Sequence, residues 1–255
     1  MAWSPDQYLR FSEPRLRPAL DLLARVTAAE PRTVCDLGCG AGNVTRLLVE
    51  RWPRAMVTGV DDSPEMLARA AAALPSVTWV RQSLADFRPD HAVDVLFSNA
   101  ALHWLPDHER LLPSLARLVA PGGVLAVQMP RNFAAPSHTL MAETAREGPW
   151  KARLEPVLRP SPVLAAADYH RLLRPFGRTL DVWETEYLQV LEGEDPVKEW
   201  TKGTWLRPLL DALEEPERSA FEAAYAARLR VAYPRLPDGT TLFPFKRIFV
   251  VLEKR

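Results

Sequence analysis

The chain of 255 residues balances 32 Lys+Arg against 32 Asp+Glu and is 47% hydrophobic, which excludes a disordered chain and the broad basic footprint of a nucleic-acid binder. Cys35 and Cys39 are its only cysteines, which excludes a disulfide framework. No apolar run approaches the ~18 residues of a membrane span, and the opening MAWSPDQYLRF lacks the order of a signal peptide, so a cytoplasmic protein without a membrane partner is expected.

Residues 1–32, with Pro14 and Pro18, read as a helical arm. From Thr33 to Met129 short apolar runs alternate with helical patterns. Thr33 to Leu37 reads as a buried strand ending at glycines. Asn43 to Trp52 reads as a helix, with Val44, Leu47 and Leu48 at helical spacing and Pro53 as its stop. Met56 to Val60 is a second strand. Ser63-Pro64 then supplies an N-cap and a proline at the first helical position, opening a helix that carries Met66, Leu67 and an alanine run to Leu74. Val77 to Val80 and Val93 to Phe97 are the third and fourth strands. Asp107 to Leu118 is a helix closed by Pro121-Gly122-Gly123, and Val124 to Met129 is the fifth strand. This rhythm predicts an α/β fold in which a parallel sheet carries helices on both faces, with a cofactor-binding core at 33–130.

Residues 131–178 form a proline-rich insertion with helical stretches near Thr139 to Glu147 and Asp168 to Leu173. Thr179 to Val190 alternates as a half-exposed strand does. Pro196 to Tyr233 is helical, broken at Pro208 and Pro216, and Arg247 to Leu252 is a terminal strand. A late strand pair within 179–255 enclosing a helical lid at 191–245 is the expected arrangement, in one structural domain and as a monomer. Many of the 24 prolines fall between Arg131 and Pro244, where they would stiffen and segment the lid.

The segment Val34-Cys35-Asp36-Leu37-Gly38-Cys39-Gly40-Ala41-Gly42-Asn43 follows a strand and opens a helix, the context that gives a glycine motif meaning. Alternate glycines allow a sharp turn and a close approach by a ligand. A dinucleotide fingerprint would place glycine at 43, where this chain has Asn43, which tells against NAD or FAD. The acid expected at the end of the second strand is Asp61, 19 residues after Gly42, where a carboxylate can accept from both ribose hydroxyls.

DLGCGAGN, TGVDDSPEML, LFSNAALHWLPD and LVAPGGVLAVQMP occur in the order and at the separations of the motifs of class I S-adenosylmethionine-dependent methyltransferases, which Val34 to Met129 resembles. The resemblance implies a Rossmann-like seven-stranded sheet with an antiparallel last strand. It assigns Asp36, Gly38, Gly40 and Gly42 to the methionine part of S-adenosylmethionine, Asp61 to the ribose, Asp62 to the cofactor site, Met66 or its neighbours to the surroundings of adenine, and Asn99 to the methionine side. S-adenosylhomocysteine is the implied product, with no metal. Where many such enzymes carry an acid against the adenine amino group, VRQSLADF has Ser83, whose hydroxyl and the Leu84 amide could meet the ring instead.

MAWSPDQYLRF, HWLPDH, GGVLAVQMP, WTKGTWLRPLL and FPFKRIFVV extend the likeness nearly end to end, and there the chain resembles the trans-aconitate 2-methyltransferases. That resemblance implies methyl esterification of one carboxylate of a small polycarboxylate. Two departures stand out: Arg131 follows QMP where an acid is expected, and Lys246 adds a cation beside Arg247. A carboxylate, with a reference pKa of about 4, needs no general base at neutral pH. The chain must instead position it and hold the spare carboxylates, a task suited to arginine. The candidates are Arg207 beside Trp205 and Arg247 at the mouth of the last strand, with Tyr8, His103 and Trp104 closing the pocket. Two rival readings are a methyltransferase for a phenol, quinol or amine, with His103 as base, and a non-catalytic module that binds S-adenosylmethionine.

Overall fold

A computed structural model describes residues 12–255. In chain order the first half comprises α1 (Ser12–Leu23), β1 (Thr33–Leu37), α2 (Asn43–Arg51), β2 (Met56–Asp61), α3 (Pro64–Ala73), β3 (Thr78–Arg81), β4 (Val93–Asn99), α4 (His108–Leu118) and β5 (Val119–Pro130). The second half comprises α5 (Pro136–Glu147), α6 (Lys151–Leu154), α7 (Ala166–Leu173), β6 (Gly177–Leu191), α8 (Pro196–Lys202), α9 (Arg207–Asp211), α10 (Glu217–Ala232) and β7 (Thr241–Lys254). The strands form one seven-stranded sheet in the order β3-β2-β1-β4-β5-β7-β6. β1 pairs in parallel with β2 and β4, β2 with β3, and β4 with β5, while β7 runs antiparallel to β5. This is the Rossmann-like sheet of the sequence reading, with its reversed last strand.

The chain divides into two compact units. The larger holds 12–130, 162–185 and 247–255. Its central strand β1 is buried along almost its whole length, as a strand covered on both faces must be. α1 belongs to this unit, where Ala19 and Leu22 are fully buried. Ser63 caps α3 by accepting from the Met66 amide at 3.3 Å, and Pro64 occupies the first turn.

The last strand β7 begins at Thr241, six residues before the expected Arg247, and the junction of α4 with β5 also differs from the expectation. Pro121-Gly122-Gly123 does not stand between helix and strand but lies inside β5, which begins at Val119. The register shifts there: Val93 faces Val119 and Val95 faces Val124, so the strand absorbs the extra residues as an irregularity. Gly122 takes φ +75°, and a Cβ at Gly123 would lie 2.6 Å from the Asp94 carbonyl oxygen, so the bulge needs both glycines.

The smaller unit holds 131–161 and 186–246. The helical stretch from Pro196 is interrupted beside Pro208 and Pro216 as expected: Pro208 sits in the first turn of α9 and Pro216 caps α10, each where a proline's missing N–H costs nothing. The core is aromatic. Trp150 meets Phe221 edge to face at 5.3 Å, and Trp200, Phe243 and Phe245 pack on one another at 5.5–5.9 Å. Tyr225 donates to the Ser137 carbonyl at 2.6 Å, tying α10 to α5. Replacing the fully buried Phe221 by Ala removes a ring at the centre of this core. Urea unfolding should show a loss of about 3–5 kcal/mol; a loss below about 1 kcal/mol would contradict this packing.

Candidate active site

The chain leaves β1 at Leu37 and turns through Gly38-Cys39-Gly40-Ala41-Gly42 into α2. Gly38 and Cys39 donate their amides to the Val60 carbonyl at 2.8 and 3.1 Å. Gly40 donates to Asp61 Oδ2 at 2.9 Å, and Ser63 donates to Asp61 Oδ1 at 3.0 Å. A single carboxylate thus fastens the loop after β1 to the loop after β2 through two charge-assisted bonds. Gly38 has φ +74°, and a Cβ there would lie 2.1 Å from Ala101 Cβ. Gly40 is also left-handed, but nothing lies within 4 Å of the position a Cβ would take, so this side of the turn faces open space that a ligand can approach.

Asp36 is buried and accepts from Thr45 Oγ1 at 2.6 Å. Burial pushes its carboxyl up to about 7, against the opposing pull of the Thr45 bond; the nearby Asp61 charge adds to the rise. At the end of β4, Asn99 Oδ1 is buried and has no hydrogen-bond partner among the described residues. Leu84 opens a short 3-10 turn to Asp86, and its Cδ1 lies 3.3 Å from where a Gly38 Cβ would stand. Met66 is buried on α3, whereas Asp62 and Ser83 are exposed. The structure therefore gathers Asp36, Gly38, Gly40, Gly42, Asp61, Leu84 and Asn99 about the C-terminal ends of β1, β2 and β4, where open α/β sheets bind ligands.

The residues expected on the acceptor side are placed less uniformly. His103 is buried, with its ring 4.7 Å from that of Trp104, which is 44% exposed. Arg247 does not sit at the strand mouth: it lies six residues inside β7, 3% exposed, and donates from Nη1 to Gln128 Oε1 at 3.3 Å. Arg207 belongs to the smaller unit and donates to Asp211 at 2.9 Å, one turn along α9. Tyr8 lies outside the described residues.

Two features escaped the sequence reading. Gln128 is a fully buried amide within the apolar run VLAVQMP, a signal visible in that run. His108 is buried between elements: its Nε2 meets the Leu102 carbonyl at 3.0 Å and its Nδ1 meets the Tyr169 hydroxyl. A carbonyl only accepts, so Nε2 carries the proton and Nδ1 accepts from Tyr169, which itself accepts from the Leu164 amide at 3.1 Å. Burial holds His108 below the usual histidine range, keeping it in this neutral form. It anchors the turn bearing His103 and Trp104, a role that no spacing in the sequence marks.

A reversed seventh strand, a glycine turn after β1 and an acid bonded at the end of β2 define a class I methyltransferase. A methyltransferase-domain family model matches residues 35–127. The trans-aconitate 2-methyltransferase of Azoarcus sp. (strain BH72) is 53% identical over 249 residues, covering 98% of each chain. That of Methylobacterium nodulans is 47% identical over 253 residues, covering 99% of this chain and 98% of its own. Among solved structures, phosphoethanolamine N-methyltransferase 2 of Haemonchus contortus in complex with S-adenosyl-L-methionine matches with TM-score 0.56 at 16% identity, over 94% of this chain and 53% of that one, a likeness of fold. The chain belongs to the trans-aconitate 2-methyltransferase family and is an S-adenosylmethionine-dependent methyltransferase.

The residues fit that cofactor. The open side of Gly40 lets the cofactor approach the protein backbone, Asp61 retains lone pairs for ribose hydroxyls, and the lone acceptor Asn99 Oδ1 suits a donor such as an ammonium group. Asp36 makes this site pH-sensitive. Unfolded, its carboxyl ionises near 4, and folded near 7, so between these values the unfolded state has lost a proton that the fold retains. Cofactor-free stability therefore falls as pH rises from about 4 to about 7 on this account and then levels. Asp36→Asn removes the effect, so its stability relative to the natural protein should improve from pH 5 to pH 8 in urea titrations. An unchanged difference across that range would show that Asp36 does not titrate there.

Proposed function

We propose that this protein transfers the methyl group of S-adenosylmethionine to one carboxylate of trans-aconitate or a related small polycarboxylate, giving a monomethyl ester. The observation that carries this reading is the full-length likeness to relatives of that name, which runs through the smaller unit as well as the cofactor core. When bound, S-adenosylmethionine supplies a methyl group on a positively charged sulfur. Asp61 holds the ribose; Asp36 and Asn99 face the methionine end; Ser83 and Leu84 border the adenine, as the expected acid would in other enzymes. His103 and Trp104 shape the acceptor's surroundings, and the buried Arg247 places a fixed positive charge near it. An ionised carboxylate is already a nucleophile, so the chain's work is alignment and exclusion of water. We also propose a monomer acting in the cytoplasm on a small-molecule partner.

Incubation of the protein with cofactor and trans-aconitate should yield a monomethyl ester detected by mass spectrometry. Absence of turnover with every small polycarboxylate would overturn the reading. With cofactor saturating, its positive charge beside Asp36 keeps that carboxylate ionised, so kcat/KM for the acceptor should stay level between about pH 6 and 8, because no base must lose a proton. A limb in that interval would favour a phenol, quinol or amine acceptor served by His103.

A further inference from the structure

Gln128 stands on β5 with no exposed surface. Register places Asn99 of β4 opposite it on one side and Phe249 of β7 on the other, and Arg247, two residues before Phe249, shares that face. Asn99, Gln128 and Arg247 thus form a row across three adjacent strands of the larger unit, at the end of the sheet that carries the cofactor cradle. Arg247 Nη1 donates to Gln128 Oε1 at 3.3 Å. A guanidinium has only donors, so this contact fixes the amide: Oε1 turns toward Arg247 and Nε2 turns away. Nε2 is buried and has no partner among the described residues. A buried donor left without an acceptor is costly, and native structures rarely keep one.

We propose that Gln128 Nε2 is the donor that receives a carboxylate of the acceptor, and that Arg247 is a positioning residue acting through it. This rests on the proposed acceptor chemistry and names the group that selects for it. The cofactor's place runs from Asp61 on β2, across the turn after β1, to Asn99 on β4. β5 and β7 are the next strands of the sheet. Strand spacing puts Gln128 about 10 Å beyond β1. The ligand group at that point must accept a hydrogen bond and profit from a nearby cation. A carboxylate does both; a neutral phenol or an amine gains little. Arg247 holds the amide in the donating orientation and draws electron density toward Oε1, which strengthens the opposite N–H.

Gln128→Glu is the discriminating variant. It keeps the shape, gives Arg247 a better partner, removes the donor and faces the acceptor with a like charge. Its KM for the acceptor should rise on the order of 100-fold, with S-adenosylhomocysteine affinity within about twofold of the natural protein. Gln128→Met, neutral and similar in size, should raise KM about tenfold and serves as the reporter if the glutamate variant fails to fold. Arg247→Met should also raise KM about tenfold, and the double variant Q128M/R247M should be no worse than the poorer single one. Unchanged KM in both Gln128 variants would overturn the proposal. So would a loss of S-adenosylhomocysteine affinity, which would assign the amide to the cofactor. Additive effects in the double variant would give Arg247 an independent role and defeat the relay. The natural protein is assayed first: if it methylates no polycarboxylate, the parent reading fails and this one with it, whereas normal turnover with indifferent variants defeats this one alone.

Discussion

The carboxylate of Asp61 is the joint on which the cofactor site depends. It ends β2, and its two oxygens take amide hydrogens from Gly40 and Ser63, so one side chain sets both the glycine turn and the entry to α3. The turn could not hold this shape by itself, since it passes through three left-handed glycines with no side chains to pack. Gly38 must be glycine because Ala101 occupies the space beside it, and Gly40 leaves open the space a ligand would use. Trp79 completes the clamp from β3: its ring lies against Gly59 and within 3.0 Å of a Cβ position at Gly42, so the sheet edge presses the turn into place.

Electrostatics in the larger unit follow burial. Asp36 and Arg247 are both withdrawn from water on the same sheet, and each has a neutral hydrogen-bonding partner, Thr45 and Gln128. Once ionised, Asp36 favours a cation near β1, a cation in turn favours its ionised form, and the Arg247 guanidinium favours an anion near β7, opposite signs separated along the strand order. A cofactor with an ammonium group and an acceptor with carboxylates are complementary to that polarity. The zero net charge of the chain conceals it, because a total counts buried charges together with surface pairs such as Arg207 with Asp211 and Arg230 with Asp195.

Much of this was legible in the sequence where local chemistry decides the outcome. The strand, the glycine turn, the Ser63-Pro64 cap and Asp61 each follow from backbone requirements confined to a few residues, and each stands where the pattern put it. Pro121-Gly122-Gly123 misled because a helix stop and a strand bulge demand the same residues, and only the register against β4 tells them apart. The environment of Arg247 was hidden for a related reason. RIFVVL reads equally well as a strand beginning at the arginine, and burial of that side chain depends on Gln128, 119 positions away in sequence. His108 and Tyr169 meet across 61 residues and carry no motif that spacing could expose.

The most direct test of Asp61 as the joint is Asp61→Ala, read by S-adenosylhomocysteine titration together with amide hydrogen exchange. Loss of the two carboxylate acceptors for backbone amides and of the proposed ribose contact predicts affinity lower by on the order of 100-fold or more, with exchange accelerating at Gly40 and Ser63 while β1 stays protected. Affinity within about threefold of the natural protein, with exchange at those amides unchanged, would contradict the account.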